Sequence, residues 1–143
     1  MILEDSCLEK IKLGKSTLIV ILNNKVIIDN NNFGVISLVE NYDKLKNNYE
    51  PLKIYDKLIG KGAAVLISNL NIDFVYAKTI TKEALSILEN KCIIKYDVVV
   101  NNILNRDKSD LCPIEKIASK YDDVNILYDE LKSFYIERGF LND

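Results

Sequence analysis

The chain has 143 residues, a length that fits one domain and allows a substantial hydrophobic core without disulfides or a bound metal. Apolar residues make up 48% and charged residues 28%, which is the balance of a globular protein and excludes a disordered or fibrous chain. The formal net charge is −2 with both signs mixed along the chain, so nucleic acid is not expected as a partner. We expect a single domain over residues 1–143.

Histidine is absent from the sequence, and the cysteines are Cys7, Cys92 and Cys112. Their odd number and wide spacing argue against a disulfide framework and favour a reducing compartment. The lack of histidine excludes Ser-His-Asp and Cys-His catalysis and histidine-containing zinc motifs. The first five residues include two acidic residues and no basic one, whereas a signal peptide begins with basic residues, and no apolar run approaches the roughly 20 residues of a membrane span. A cytoplasmic protein is expected, with no cofactor, metal ligands or membrane partner.

The beginning of the chain predicts a helix and then a hairpin. Apolar residues at helical spacing in residues 3–12 indicate a short helix that Gly14 ends as a C-cap. Two apolar runs, residues 17–22 and 25–28, flank Asn23-Asn24. Because asparagine tolerates the positive φ of a tight turn, this pattern predicts an antiparallel β-hairpin.

Two further helices are predicted before the middle of the chain. Apolar residues between Val35 and Leu45 fall on one helical face, and Pro51 ends the pattern. Asp56 is typical of an N-cap, here for a helix over about 57–69 whose small residues allow close packing on a sheet. Each glycine inside that helix costs roughly 1 kcal/mol relative to alanine, which indicates that close packing or backbone access compensates.

A strand, a helix and a second strand come next. Residues 72–79 predict a buried strand, Thr81 predicts the cap of a third helix with Glu83 in its first turn, and residues 93–100 predict the second strand. A crossover helix between two strands normally joins parallel neighbours.

Two helices complete the chain. Pro113 favours a helix start and places Cys112 at or next to the cap. The last helix is predicted from about 123 to 138, where Gly139 ends it.

Three ordered motifs carry a resemblance to a known family: DKLIGKGAAVL at 56–66, VYAKTITKEAL at 75–85 and NRDKSDLCPIE at 105–115. Through them the sequence resembles the domain of unknown function 1893 family over about 100 residues, from near Thr17 to near Ala118. The first and last helices lie outside this resemblance.

The resemblance implies a three-layer α-β-α cytidine-deaminase-like fold, with a mixed sheet that starts with an antiparallel hairpin and continues in parallel strands. True deaminases bind zinc through His-x-Glu and Pro-Cys-x-x-Cys motifs at the starts of two helices. The corresponding places here hold Gly60-Lys61-Gly62 and Thr79-Ile80-Thr81. Neither supplies an imidazole or a thiolate, so zinc-dependent deamination is excluded on chemical grounds.

Cys112 is the candidate catalytic residue, because a thiol at a helix N-terminus becomes a better nucleophile. Arg106 or Lys61 are candidates to support the thiolate, and Glu115 is a candidate to transfer protons. The alternative is a small buried residue before a proline helix start. Cys7 and Cys92 lie at apolar positions of predicted helices and are expected in the core.

The remaining candidates are ligand-binding residues. Arg106, between Asn105 and Asp107, can donate a bidentate pair of hydrogen bonds to a carboxylate or phosphate. The alternative is that the same loop is merely held together by internal hydrogen bonds. Gly60 and Lys61 suit an anionic group at a helix start, with packing and a solvated lysine as the alternative. Thr81 is expected mainly as a cap, with ligand contact as a secondary role.

We therefore expect a protein without a zinc site that binds a small anionic or nucleotide-like molecule, with possible thiol chemistry at Cys112. The alternatives are a non-catalytic regulatory module and a structural module whose terminal helices mediate homo-oligomerisation. The sequence alone does not separate an enzyme from a binding protein.

Overall fold

The computed structural model describes residues 2–142, which form six helices and five strands. In chain order these are α1 (Leu3–Lys12), β1 (Leu18–Leu22), β2 (Lys25–Asn30), α2 (Ile36–Lys46), β3 (Leu52–Ile59), α3 (Lys61–Ser68), β4 (Ile72–Thr81), α4 (Lys82–Leu88), β5 (Ile93–Val100), α5 (Pro113–Ala118) and α6 (Val124–Glu137).

The five strands form one mixed sheet in the order β2-β1-β3-β4-β5. β1 is antiparallel to both β2 and β3, whereas β3, β4 and β5 run parallel to one another. Asn23 and Asn24 form the hairpin turn with φ angles of 52° and 60°. The prediction of a mixed sheet that begins with an antiparallel hairpin and continues in parallel strands is thus confirmed.

Helices cover both faces of the sheet. On one face, α1 packs Cys7 and Ile11 against Ile19, Tyr55 and Tyr76. On the other face, α2 to α6 share a larger core with the opposite sides of the strands. Each face of the central strands is therefore buried under helices. Among residues 2–142, no helix combines the length and apolar character needed to cross a bilayer.

The predicted helix over about 57–69 is wrong in its first part. Residues 52–59 form β3, and α3 begins only at Lys61, with Gly60 rather than Asp56 as its N-cap. β3 lies between β1 and β4 and buries Ile54 on one face and Tyr55 on the other. Pairing on both edges stabilises the strand, an effect that is not visible in a short apolar run interrupted by charges.

The helix starts predicted in the second half of the chain are confirmed. Thr81 caps α4 by accepting a hydrogen bond from the Ala84 amide at 3.1 Å. Cys112 is the N-cap of α5, with proline at the first helical position. Asp123 caps α6, and Gly139 follows this helix with a φ of +79°.

Of the two cysteines outside the cleft, one is placed as predicted and the other is not. Cys7 is buried on α1, as predicted. Cys92 lies in the turn between α4 and β5 rather than in a helix, and it is half-buried against the larger core.

Candidate functional site

A cleft of about 370 Å³ opens beside the carboxyl end of β3. Its walls are the loop between β2 and α2 (Asn31–Val35), the end of β3 and start of α3, and the start of α5. Thr17 and Ile103 complete the lining. Crevices at the carboxyl ends of parallel strands are where open α/β sheets commonly bind ligands. We refer to this feature as the β3 cleft.

The carboxylate of Glu115 forms one wall of the β3 cleft and caps α3 from outside that helix. Its two oxygens accept hydrogen bonds from the backbone amides of Lys61 at 3.0 Å and Gly62 at 3.4 Å. These amides have no partner inside the helix, and the helix dipole favours a negative charge beside them. Glu115 therefore occupies the place at the start of α3 where the sequence suggested an anionic ligand.

Gly60 makes this approach of Glu115 possible. A Cβ atom built on Gly60 would lie 2.2 Å from Glu115 Oε1 and 2.5 Å from Glu115 Cδ. The φ of Gly60 is −104°, which any residue can adopt. Glycine is therefore favoured here because it leaves room for the Glu115 carboxylate, and not because of the backbone conformation.

Asp56, at the end of β3, also lines the cleft. Its Oδ1 atom accepts a hydrogen bond from the Leu58 amide at 3.2 Å. Desolvation by the surrounding protein raises the pKa of Asp56 to about 7, against the weaker lowering effect of backbone hydrogen bonds from Leu58 and Lys57. The carboxyl can thus donate or accept a proton near neutral pH.

The loop between β2 and α2 is held by side chains around it. Thr17 donates a hydrogen bond to the Asn32 carbonyl at 2.6 Å. Asn32 donates to Ser37 Oγ at 2.9 Å, and Ser37 donates in turn to Asn30 Oδ1 at 2.8 Å. This chain of hydrogen bonds fixes the wall of the cleft that faces Asp56.

Gly34 and Tyr135 fix the other end of the same loop. Gly34 has a φ of +61°, a left-handed conformation that favours glycine. The buried Tyr135 hydroxyl accepts a hydrogen bond from the Val35 amide at 3.1 Å. Burial raises the pKa of Tyr135 above its usual value, which keeps the hydroxyl neutral at physiological pH.

An aromatic pair lies at the cleft rim. Phe33, which lines the cleft, contacts Phe140 edge to face, with ring centroids 4.9 Å apart. Both rings remain about half exposed, at 55% and 49%. They give the entrance an apolar edge beside the polar groups inside.

The structure brings together three of the predicted site residues. Gly60, Cys112 and Glu115 all line the β3 cleft. Cys112 is half-buried, and its backbone amide donates to the Ile103 carbonyl at 2.9 Å. Cys112 and Glu115 therefore line the same cleft.

Two other candidates lie outside the cleft lining. Lys61 directs its side chain to Asp122, with an Nζ–Oδ1 distance of 2.7 Å, and this ion pair lowers the pKa of Asp122. Thr81 is buried at the start of α4, where its hydroxyl serves the helix cap. Both side chains thus make intramolecular contacts.

Arg106, Asn105 and Asp107 lie in the loop between β5 and α5 and do not line the cleft. Asn105 Oδ1 and Asp107 Oδ1 both accept from the Ser109 amide, at 3.0 and 3.1 Å. The Ser109 hydroxyl also donates to Asp107 and lowers the pKa of that carboxyl. These contacts correspond to the alternative in which the loop holds itself together, while Arg106 is exposed.

Several cleft residues were not recognised from sequence. Asp56 was interpreted as a helix cap, and the loop containing Asn32 and Gly34 was not considered as part of a site. A polar, glycine-containing loop directly after a strand was the available signal, since binding residues concentrate on such loops. Within residues 2–142, no three histidine, cysteine, aspartate or glutamate side chains are grouped to hold a metal ion.

We expect Asp56→Asn to stabilise the protein at alkaline pH. The folded-state pKa of Asp56 lies above its ordinary value, so the stability that the protonated carboxyl contributes is complete below about pH 4 and is lost as the pH rises through about 7. Above pH 7 the free energy of unfolding of Asp56→Asn should exceed that of the unaltered protein by about 1–2 kcal/mol, after allowance for partial solvent screening. This difference should vanish toward pH 4. Urea unfolding from pH 4 to 9 measures it.

Asp122→Asn serves as the control with the opposite sign. The pKa of Asp122 is lowered, so its stabilising effect is present above pH 4 and is lost as the pH falls through the lowered pKa. A pH-independent difference between Asp56→Asn and the unaltered protein would contradict the raised pKa of Asp56.

The fold is that of a mixed α/β protein with a cleft of about 370 Å³ at the end of a central strand. The family model of the domain of unknown function DUF1893 matches residues 7–135, and the chain belongs to this family. The match begins within α1 and ends within α6, so the family extends over both helices that the sequence resemblance had left out.

A solved structure supports the same relationship. The crystal structure of the DUF1893 family protein TM1506 from Thermotoga maritima is similar to this chain with a TM-score of 0.78 and 26% identity. The similarity covers 92% of this chain and 88% of that one. A comparison with curated proteins finds no match.

Proposed function

We propose that this protein binds a small polar molecule in the β3 cleft on a cytidine-deaminase-like scaffold that has no zinc site. The observation that carries the proposal is the convergence of Asp56, Glu115 and Cys112 on one cleft of about 370 Å³. That volume lies within the usual range for ligand pockets, and a few polar groups in a mainly apolar lining are typical of such sites.

Three features support the scaffold: the initial hairpin, the parallel strands that follow it, and the helices on both faces. The places where deaminases hold zinc are the starts of α3 and α4, which here contain Gly60-Lys61-Gly62 and Thr79-Ile80-Thr81. These residues offer no thiolate or imidazole, and the nearby carboxylate of Glu115 is already hydrogen-bonded to backbone amides. A zinc ion does not fit this donor set.

The charges around the cleft indicate the chemistry of the ligand. Asp56 and Glu115 are its acidic groups, and Lys57 is its basic lining residue. The two expected anion holders, Lys61 and Arg106, do not line it. We therefore infer a ligand that presents hydrogen-bond donors or a positive charge to Asp56, in place of the anion favoured by the sequence; a nucleotide-like ligand would satisfy this through its base.

Binding is proposed in preference to thiol catalysis, although one cation, Lys57, lines the cleft together with Cys112. Neither Lys61, which is paired with Asp122, nor Arg106 contributes to the cleft lining beside the thiol. A nucleophilic cysteine ordinarily needs a cationic or basic partner. In this proposal Cys112 is a wall of the site, and a Cys112→Ser variant retains ligand binding.

A thermal-shift screen tests the proposal with two compound sets: nitrogen heterocycles and amines, and carboxylates and phosphates. We expect stabilising compounds in the first set, and Asp56→Asn should weaken their binding about tenfold, which corresponds to one lost charge-assisted hydrogen bond. Asp73 is an exposed residue of β4 that is paired with Lys53, and Asp73→Asn should leave binding unchanged.

Two results would overturn the proposal. One is stabilisation only by the anionic set together with full retention of binding in Asp56→Asn. The other is rapid alkylation of Cys112 by iodoacetamide at a pH where free cysteine is unreactive, which would restore the thiol enzyme as the better interpretation.

A further inference from the structure

Strand β5 forms one outer edge of the sheet and leaves large apolar side chains exposed. Ile93, Tyr96 and Val98 are 63%, 43% and 50% exposed. The strand has eight residues and contains neither proline nor glycine. Natural proteins usually protect such an edge, because its unpaired backbone groups are a template for another strand.

The opposite edge of the sheet is protected. β2 has only six residues, and its ladder with β1 is interrupted by an irregularity near Val20. A bulge is a common device against edge pairing. The two edges therefore differ, and β5 is the one suited to a partner strand.

Two-fold symmetry limits the registers in which β5 can pair with β5 of a second copy. A two-fold axis perpendicular to a continuous sheet pairs the strand with itself in antiparallel orientation, and each register is centred on one residue. Centring on Lys95 places two lysines opposite each other, and centring on Asp97 does the same with two aspartates. Like charges directly opposite are destabilising.

Centring on Tyr96 avoids both conflicts. In this register Lys95 lies opposite the partner's Asp97, whose carboxylate also accepts from the Tyr76 hydroxyl at 2.7 Å and lies 3.4 Å from Lys12 Nζ of its own chain. The same pair occurs again on the other side of the axis. Tyr96 lies opposite its own copy, and Ile94 lies opposite the partner's Val98. Opposite charges and apolar or aromatic cross-strand pairs each stabilise antiparallel sheets. The sequence of β5 is therefore complementary to itself.

We propose that two copies of this chain pair through β5, antiparallel and centred on Tyr96, into one ten-stranded sheet. The partner is a second copy because the alternation Lys95-Tyr96-Asp97 is complementary to its own reverse. This contact surface differs from the terminal helices, which the sequence suggested as the surface for homo-oligomerisation. It is independent of the ligand proposed for the β3 cleft.

Disulfide trapping tests the register directly. In the proposed dimer the Cβ atoms of the two copies of residue 96 lie about 5 Å apart, close to disulfide distance. Under mild oxidation Tyr96→Cys should be cross-linked for more than about half of the protein, since the pair is held in place. Val26→Cys is the matched control, because Val26 lies on the β2 edge with nearly equal exposure of 41%. The unaltered protein reports any cross-linking by the native cysteines.

Charge reversal provides a second test in solution. By light scattering the unaltered protein should have twice the mass of one chain, and Lys95→Asp should raise the dissociation constant about tenfold or more. Mixing Lys95→Asp with Asp97→Lys should restore dimers, because each Lys95–Asp97 position then again faces an opposite charge. A monomeric protein at about 100 µM would overturn the proposal, as would a dimer that neither responds to Lys95→Asp nor cross-links at position 96.

Discussion

Replacing Gly60 with alanine is expected to destabilise the protein by about 2–3 kcal/mol. The added methyl group would lie 2.2 Å from Glu115 Oε1, so the carboxylate must move away. The amides of Lys61 and Gly62 then lose their acceptor at the start of α3. Urea unfolding monitored by circular dichroism measures the change.

Two variants isolate this cause. In a Glu115→Ala background the conflict is absent, so Gly60→Ala should cost less than about 1 kcal/mol there. Gly62→Ala is the matched substitution two residues later, where the nearest contact is Ile114 Cγ2 at 3.3 Å and alanine favours the helix. It should be nearly neutral. Equal losses in both backgrounds would contradict the role given to Glu115.

Gly34→Ala is expected to destabilise the protein by about 2–3 kcal/mol for two separate reasons. The φ of +61° is unfavourable for alanine, and the added Cβ would lie 2.6 Å from the Tyr135 hydroxyl. That hydroxyl accepts from the Val35 amide, so its displacement also breaks the bond that fixes the cleft loop. Thermal unfolding measures the loss.

Gly139→Ala is the control for the effect of the positive φ angle alone. Gly139 has a φ of +79°, but nothing lies within 4 Å of an added Cβ. Its substitution should cost only the conformational part, about 1–2 kcal/mol. Tyr135→Phe should reduce the cost of Gly34→Ala toward that of Gly139→Ala. If Gly34→Ala and Gly139→Ala are equally destabilising, the contact with Tyr135 is unimportant.

Local chemistry explains why much of the fold was predictable. Asn23 and Asn24 indicated a tight hairpin turn because few other residues tolerate two consecutive positive φ angles. Thr81 indicated a helix start because its side chain can accept one of the first free amides, and Pro113 because proline favours the first helical position. Each of these features depends on residues that are neighbours in the chain.

β3 was missed because its stability comes from distant partners. The charged residues Lys53, Asp56 and Lys57 interrupt its apolar pattern, and the small residues after Gly60 extend a helical pattern backward. Pairing with β1 on one side and β4 on the other decides the conformation. Such tertiary pairing overrides local preference and is not readable from a single segment.

The candidate site was only partly predictable, because it also depends on contacts between residues that are distant in the sequence. Cys112 and Glu115 were identified as one local unit, and Gly60 as a separate one. The Glu115 carboxylate accepts from the Lys61 amide, 54 positions earlier in the chain, and this contact required the fold. Asp56 could not be recognised while it was interpreted as a helix cap, because its place in the cleft depends on β3.

The most direct test of the binding site is an amide chemical-shift titration of the labelled protein with the most strongly stabilising compound from the thermal-shift screen. Because the ligand is proposed to lie between Asp56 and the start of α5, the largest shifts should occur at Leu58, Gly60 and Cys112, and in Asp56→Asn they should require about tenfold more compound. Shifts confined to the β5 edge or to α1, with Leu58 and Gly60 unmoved, would contradict the assignment of the β3 cleft as the ligand site.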